Sequence, residues 1–143
     1  MLGGIQVPHS KGAVGHSDAD VLLHAMADAL LGAAGLEDIG YHFPDTDPAL
    51  KGIDSKILLS RTMALVREKG FAVVNLDATL CLQAPKIKPF IPAMKACVAS
   101  ILGLDPGEVG IKATTTEHMG FVGREEGVMA YATVLLERQA PAW

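Results

Sequence analysis

The stretch from Gly15 to Asp47, GHSDADVLLHAMADALLGAAGLEDIGYHFPDTD, contains three histidines and seven aspartates and glutamates around one apolar segment. Ser17 is suited to cap a helix, and Asp20 follows three residues later, as in a capping box. Apolar residues then recur at helical spacing as far as Leu30, before glycines at positions 32 and 35. We therefore predict a helix flanked at both ends by groups that could bind a ligand.

Beyond this helix, the chain alternates between helical and strand patterns. A second helix is predicted from Asp54 or Ser55 to Lys69-Gly70, a third over residues 93–102, and a single turn at Asp105-Pro106. Strands are predicted over residues 71–82, 109–116 and 128–137. This mixture indicates an α+β, two-layer fold, with a mixed β-sheet covered by helices on one face. The bare face would be covered by further copies of the chain, which predicts a homo-oligomer.

The amino-acid composition limits the classes of protein to which this chain can belong. The chain has 143 residues, half of them hydrophobic, and a formal net charge of −4, which fits one domain over residues 1–143. Mild acidity argues against a nucleic-acid surface, which needs clustered Lys and Arg. No segment approaches the roughly 20 apolar residues that span a bilayer, and the N-terminus lacks signal-peptide character. We expect a cytoplasmic protein that acts on a small molecule, with Cys81 and Cys97 as buried free thiols.

His24 lies midway between Asp20 and Asp28, four residues from each, so all three share one stripe of the predicted helix. A carboxylate one turn away would fix the tautomer of the imidazole and raise its basicity, as around many metal-binding histidines. A helical histidine beside acids is also an ordinary hydrogen-bonded structural residue. The spacing alone leaves both interpretations open.

Three other segments present groups that could bind phosphate, hydroxyls or a cation. His16 precedes the N-terminus of the predicted helix, where free amides and the helix dipole favour an anion. In the loop Asp38–Asp47, the aspartates could accept hydroxyl protons or bond their own backbone. The run Thr114–Glu117 could orient a phosphate or hold Mg²⁺, and the Arg124 guanidinium could bind an anion through two N–H groups. The ordinary alternatives are a solvated histidine, an Asx turn, a strand threonine run and a Glu117–Arg124 surface pair.

Together these motifs resemble the 2-C-methyl-D-erythritol 2,4-cyclodiphosphate synthase family of non-mevalonate isoprenoid biosynthesis. The match runs in register from Gly3-Gly4 to about Leu136. Any one motif could arise by chance, but not all of them in this order. The motifs are His16-Ser17-Asp18, His24-Ala25, residues 28–32, Asp38-Ile39-Gly40, residues 43–48, Gln83-Ala84-Pro85-Lys86, residues 112–117, Gly120-Phe121 and Gly123-Arg124.

The resemblance implies a homotrimeric lyase that converts 4-diphosphocytidyl-2-C-methyl-D-erythritol 2-phosphate into the cyclic diphosphate and CMP. The substrate's own 2-phosphate would attack the β-phosphorus, so the enzyme chiefly folds the substrate and neutralises charge. By this likeness His16 and Thr115 are catalytic, His24 is a zinc ligand, and Glu117 holds Mg²⁺ or Mn²⁺. Residues 82–88 and 113–115 would form a cytidine pocket that meets the zinc side across a subunit boundary. The implied substrate contacts are His16, Ser17, Asp38, Ile39, Gly40, Phe43, Pro44, Asp45, Thr46, Asp47, Leu82, Gln83, Ala84, Pro85, Lys86, Ile87, Lys88, Ala113, Thr114, Thr115, Thr116, Glu117, Phe121 and Arg124.

One motif of the family is absent from these 143 residues. Members begin with a strand ending in Asp-x-His, which supplies the other two zinc ligands, and no such pair occurs in this sequence. Because a catalytic zinc site ordinarily takes three protein ligands, we expect weak zinc binding, slow or absent turnover and an unfilled sheet edge. An in-frame segment upstream of Met1 that encodes the pair would make the native protein a normal enzyme. The alternative function is a non-catalytic, zinc-deficient trimer that retains cytidine nucleotide binding, and the residues alone would also suit a metal-dependent phosphohydrolase.

Overall fold

The computed structural model describes residues 1–8 and 20–140. Its helices are α1 (Val21–Ala33), α2 (Ile39–His42), α3 (Ser55–Glu68), α4 (Ile91–Leu102) and α5 (Gly120–Gly123). Its strands are β1 (Phe71–Cys81), β2 (Val109–Thr114) and β3 (Met129–Arg138). Single 3₁₀ turns occur at Pro48–Leu50, Lys88–Phe90 and Pro106–Glu108. The predicted α+β class is confirmed, and each long element lies within about two residues of its predicted bounds, except at the start of α1.

Helix α1 begins at Val21 because Asp20 is its N-cap: the carboxylate accepts a hydrogen bond from the Leu23 amide at 3.1 Å. The prediction that Ser17 caps this helix is therefore wrong by one turn, and Ser17 itself lies outside the described residues. Aspartate is as good an N-cap as serine, so Asp20 can take the role that the capping-box pattern assigned to Ser17.

The central strand of the sheet is β1, which pairs in parallel with β2 and antiparallel with β3. Every second residue in its later half faces the core, since Leu76, Ala78 and Leu80 are all buried. Helices α1, α3 and α4 pack over this face and complete the core. The mixed sheet with helices on one face is therefore as predicted.

The opposite face of the sheet carries exposed side chains. Lys112 and Asp77 form an ion pair there at 2.6 Å, and β3 exposes Met129, Tyr131 and Leu135. Within the described residues, the far edge of β3 has no strand paired to it. The sheet thus has a bare, partly apolar face and an open edge.

Two segments predicted as loops contain short helices. Each of α2 and α5 has four residues, which is too short to show a helical period in the sequence. The start of α2 is fixed by Asp38, whose carboxylate accepts from the Tyr41 amide at 2.9 Å. For α2, the capping aspartate is therefore a better predictor of the helix than hydrophobic periodicity is.

Two further expectations concern the thiols and the membrane. Cys81 and Cys97 are both free, as predicted, but each is only partly buried. In the segments that the structure describes, no helix has the length and apolar character to cross a bilayer. The expected cytoplasmic location stays a prediction.

Candidate functional site

The His24 ring contacts a hydroxyl on a neighbouring helix. His24 lies on α1, and its Nε2 atom is 2.9 Å from Oγ of Ser55. Ser55 is fully buried and is the first residue of α3, after the N-cap Asp54. This contact fits the interpretation of His24 as a hydrogen-bonded structural residue, and its role as a zinc ligand stays a prediction.

The two carboxylates on the stripe of His24 bind backbone amides instead. Asp20 is fully buried and accepts hydrogen bonds from Gly3 and Gly4 at 3.0 and 2.8 Å, besides the bond that caps α1. Asp28 accepts from the Ile39 amide at 2.9 Å and so joins α1 to the start of α2. Both acids anchor the helix that carries His24, which gives them a positioning role.

In the loop Asp38–Asp47, two carboxylates bond the local backbone. Asp38 caps α2, and Asp47 accepts from the amide two residues ahead at 2.9 Å. The bond of Asp47 matches the Asx-turn alternative, and that of Asp38 is a helix N-cap, so both aspartates bond their own backbone. Asp45 and Thr46 are exposed, so their polar groups can meet a substrate.

His42 is a polar group of this loop that the sequence did not single out. Its Nε2 atom is buried and has no hydrogen-bond partner within the described part of the chain. The ring packs edge-on against Tyr41, with the two centroids 5.0 Å apart, and lies 6.4 Å from the Phe43 ring. A histidine in a one-turn helix has no periodic pattern around it, so no signal in the sequence indicated its burial.

The carboxyl ends of β1 and β2 bring together two groups of predicted residues. Cys81 and Thr114 are ladder partners at the ends of these parallel strands, and the Leu82 amide donates to the Thr114 carbonyl at 3.0 Å. Segments 82–88 and 113–117 therefore begin side by side. The carboxyl edge of parallel strands is a common place for ligands in α/β proteins, and Lys86 and Lys88 are exposed near it.

The turn after β2 has a strained backbone. Glu117 and His118 are both left-handed, with φ of 55° and 63°, and this conformation costs a non-glycine residue on the order of 1 kcal/mol. The Glu117 amide donates to Oγ1 of Thr115 at 3.2 Å, and the His118 amide donates to Oε1 of Gln83 at 2.9 Å. The turn leaves the Glu117 side chain exposed. No sequence pattern indicated the hydrogen bond from His118 to Gln83, because left-handed non-glycine residues have no distinctive composition.

Phe121 and Arg124 are exposed on and just after α5. The Arg124 guanidinium binds the Glu126 carboxylate, with Nε 2.8 Å from Oε1, and this hydrogen bond raises the pKa of Arg124. The Glu117–Arg124 surface pair considered from the sequence is therefore wrong, since the partner of Arg124 is Glu126. Both side chains of this ion pair are largely exposed, so it contributes little to stability.

Two metal positions were predicted, at His24 and at Glu117. Among residues 1–8 and 20–140, no three His, Cys, Asp or Glu side chains are arranged to hold an ion. His24 is a single ligand, which does not fit a zinc site on its own. Glu117 is a single exposed carboxylate, which fits Mg²⁺ that keeps several waters and takes other oxygens from substrate phosphates. The predicted roles of His16 and Ser17 lie outside the described residues.

Comparison with known proteins gives matches over nearly the whole chain. A model of the YgbB family matches residues 1–137. The 2-C-methyl-D-erythritol 2,4-cyclodiphosphate synthase of Bacteroides thetaiotaomicron is 60% identical over 137 residues, which cover 96% of this chain and 86% of that protein. The protein of the same name from Porphyromonas gingivalis is 57% identical, over 94% of this chain and 83% of its own length.

Solved structures agree with these sequence matches. The bifunctional IspDF from Campylobacter jejuni has a TM-score of 0.93 at 45% identity, and the match covers 96% of this chain but 37% of that longer one. A 2C-methyl-D-erythritol-2,4-cyclodiphosphate synthase solved in its CDP-bound form has a TM-score of 0.84 at 36% identity, over 96% of this chain and 89% of its own.

These matches confirm the family that the motifs indicated, and with it the prediction of an enzyme. They do not favour the alternative of a non-catalytic nucleotide-binding trimer. The chain belongs to the YgbB family, that of the 2-C-methyl-D-erythritol 2,4-cyclodiphosphate synthases.

Proposed function

We propose that this chain converts 4-diphosphocytidyl-2-C-methyl-D-erythritol 2-phosphate into 2-C-methyl-D-erythritol 2,4-cyclodiphosphate and CMP. An oxygen of the 2-phosphate attacks the β-phosphorus, and the bond from that phosphorus to the CMP oxygen breaks. The observation that carries the proposal is the junction of segment 82–88 with the turn at Thr114–Glu117, at one edge of the sheet. A nucleotide held by the first segment would have its phosphates next to the hydroxyls and carboxylate of the second.

Because the attacking and leaving groups belong to one molecule, the protein mainly has to orient them and neutralise their charge. In the proposal, Thr115 and His16 donate hydrogen bonds to oxygens of the phosphorus under attack, and Ser17 holds substrate phosphate. Arg124, which is exposed to solvent, offsets the negative charge of the substrate phosphates. The exposed members of the loop Asp38–Asp47 accept hydrogen bonds from the erythritol hydroxyls.

Glu117 is the residue proposed to hold Mg²⁺ or Mn²⁺. Held by Glu117, such an ion would offset the negative charge of the substrate phosphates and polarise a phosphoryl group. Support comes from the exposure of this carboxylate and from the hydrogen bonds that fix its turn. We assign no step of the reaction to zinc, since His24 is a single ligand in the described residues.

The zinc content of the 143-residue chain can be measured directly. Since the sequence contains no Asp-x-His pair, we expect elemental analysis of the purified chain to give well below one zinc per chain. Tightly bound, stoichiometric zinc would show that other residues complete the site.

The homotrimer is proposed to form through the bare face of the sheet. Tyr131 and Leu135 are large hydrophobic side chains on this face, and they are 57% and 54% exposed to solvent. Exposed hydrophobic patches of this kind often mark protein–protein interfaces. Leu135→Asp is expected to give monomers in analytical ultracentrifugation, whereas Ser60→Asp, on the exposed side of α3, should leave the assembly unchanged. A wild-type chain that sediments as a monomer would refute the proposal.

The reaction itself is tested by incubating the chain with the diphosphocytidyl substrate and Mg²⁺ and following ³¹P NMR. We expect cyclic diphosphate and CMP in equal amounts. Inorganic phosphate as the main product would instead indicate a phosphohydrolase, and CMP binding without any product would indicate the nucleotide-binding alternative. Glu117→Gln should lower the rate at least 100-fold, while the exposed Glu108→Gln serves as the matched control.

A further inference from the structure

Two consecutive left-handed residues follow β2, in a turn closed by the Met119 amide, which donates to the Thr116 carbonyl at 3.0 Å. Glu117 and His118 carry Cβ atoms, and left-handed backbone is unfavourable for such residues unless the surroundings fix it. The Glu117 amide is bonded within the turn, to the hydroxyl of Thr115. The His118 amide is bonded outside it, to a side chain 35 residues earlier in the chain.

That side chain is Gln83, in the segment that follows β1. Its Oε1 atom accepts the His118 amide at 2.9 Å, and Gln83 itself is partly buried. The turn also packs closely against α5, because a Cβ atom added at Gly123 would overlap the carbonyl carbon of His118. The turn is therefore held by two hydrogen bonds between Thr116 and Met119, by close contact with the backbone of α5, and by one side-chain oxygen from a distant segment.

We propose that Gln83 is a positioning residue that keeps the Glu117–His118 turn in its left-handed form and thereby fixes where the Glu117 carboxylate points. The inference rests on the proposed function, in which Glu117 serves the phosphate end of the substrate. It differs from the direct substrate contact expected for Gln83, because its side-chain oxygen is engaged by the His118 amide. Gln83 thus connects the segment proposed to hold the nucleotide with the turn proposed to hold the divalent ion.

The first test compares Gln83→Met, which keeps the length of the side chain but removes the acceptor, with Gln83→Glu, which keeps an acceptor oxygen. Amide exchange of His118, followed by ¹H–¹⁵N NMR on the full chain without ligands, should be at least fivefold faster in Gln83→Met and close to wild type in Gln83→Glu. Unchanged amide dispersion elsewhere shows that the variants are folded. Equal exchange rates in wild type and Gln83→Met would overturn the inference.

The second test uses His118→Gly in the Gln83→Met background. Glycine adopts a left-handed backbone without steric cost, so the double variant should recover at least half of any loss caused by Gln83→Met. The readouts are the Mn²⁺ concentration that half-broadens the Glu117 amide resonance and the Mg²⁺ concentration that gives half-maximal rate, both expected to rise at least fivefold in Gln83→Met. The affinity for CMP, measured by calorimetry, should stay within threefold.

These outcomes separate the inference from the proposed function. A tenfold weaker CMP affinity in Gln83→Met, with His118 still protected, would make Gln83 a direct nucleotide contact and overturn the inference. If the wild-type chain forms no cyclic product, the proposed function fails, and the exchange and Mn²⁺ measurements still decide the role of Gln83.

Discussion

The buried carboxylate of Asp20 provides the sharpest test of how this fold is held together. Among the described residues, three backbone amides donate to it, from Gly3 at 3.0 Å, Gly4 at 2.8 Å and Leu23 at 3.1 Å, and it is fully buried. The change Asp20→Asn keeps the shape of the side chain but replaces one oxygen with an NH₂ group. Two of the bonds share Oδ1 and can persist on the amide oxygen, whereas the third acceptor becomes a donor facing the Gly4 amide.

The expected loss of stability follows from the hydrogen bonds that the substitution breaks. One charge-assisted hydrogen bond contributes about 1.5–3 kcal/mol, and a buried amide without an acceptor costs about 1–3 kcal/mol. Because these contributions overlap, we expect Asp20→Asn to lower the free energy of unfolding by about 3 kcal/mol. With a urea m-value of about 2 kcal/mol/M, the unfolding midpoint would fall by about 1.5 M.

The assay is urea unfolding followed by circular dichroism at 222 nm, at one fixed chain concentration so that any assembly contributes equally. Asp28→Asn is the matched control, because that exposed carboxylate accepts a single amide, from Ile39, and the variant keeps an acceptor. It should lose no more than about 0.5 kcal/mol. If both variants lose the same free energy, the three amide bonds of Asp20 do not stabilise the fold and the reasoning is refuted.

Three further predictions concern single side chains. Gly123→Ala places a methyl group on the His118 backbone and should lower the unfolding free energy by at least about 2 kcal/mol, seen as a lower thermal midpoint; an unchanged midpoint would contradict the contact. Ser55→Ala removes the partner of Nε2 in His24, so we expect a changed tautomer population in ¹⁵N NMR and a loss of about 1 kcal/mol. Burial raises the pKa of the Cys97 thiol, so its thiolate fraction at pH 8 is reduced and alkylation by iodoacetamide should be slower than in the unfolded chain; equal rates would disprove this.

The long elements could be predicted because each combines a periodic apolar pattern with a recognisable end. Helix α3 begins after Asp54, whose carboxylate accepts from the Lys56 amide, and ends at Lys69-Gly70 as predicted. Strand β1 shows its alternation because one of its faces is buried. The four-residue helices α2 and α5 have neither feature, and their formation depends on caps and on contacts with distant residues.

The carboxylates around His24 were harder to predict, for a physical reason. Helical spacing places Asp20, His24 and Asp28 on one stripe, but it does not decide what each side chain binds. At the helix N-terminus, backbone amides lack partners, so a carboxylate there binds them before it reaches a side chain one turn away. Asp28 binds the amide of Ile39, in a segment whose path the sequence did not specify. Ring partners such as Ser55 come from another helix and depend on how the helices pack.

The junction of segment 82–88 with the turn at Thr114–Glu117 was within reach of sequence reasoning, because it depends on topology. A strand, a helix and a second strand in that order form a crossover unit whose strands run parallel, which places both carboxyl ends at the same edge. The segments that follow the two strands must then be neighbours, whatever their side chains. The bond from His118 to Gln83 is different, since it requires a left-handed backbone that the residue types disfavour. Topology therefore predicts which loops form the site, whereas the orientation of Glu117 within it depends on a side-chain contact that only the folded structure reveals.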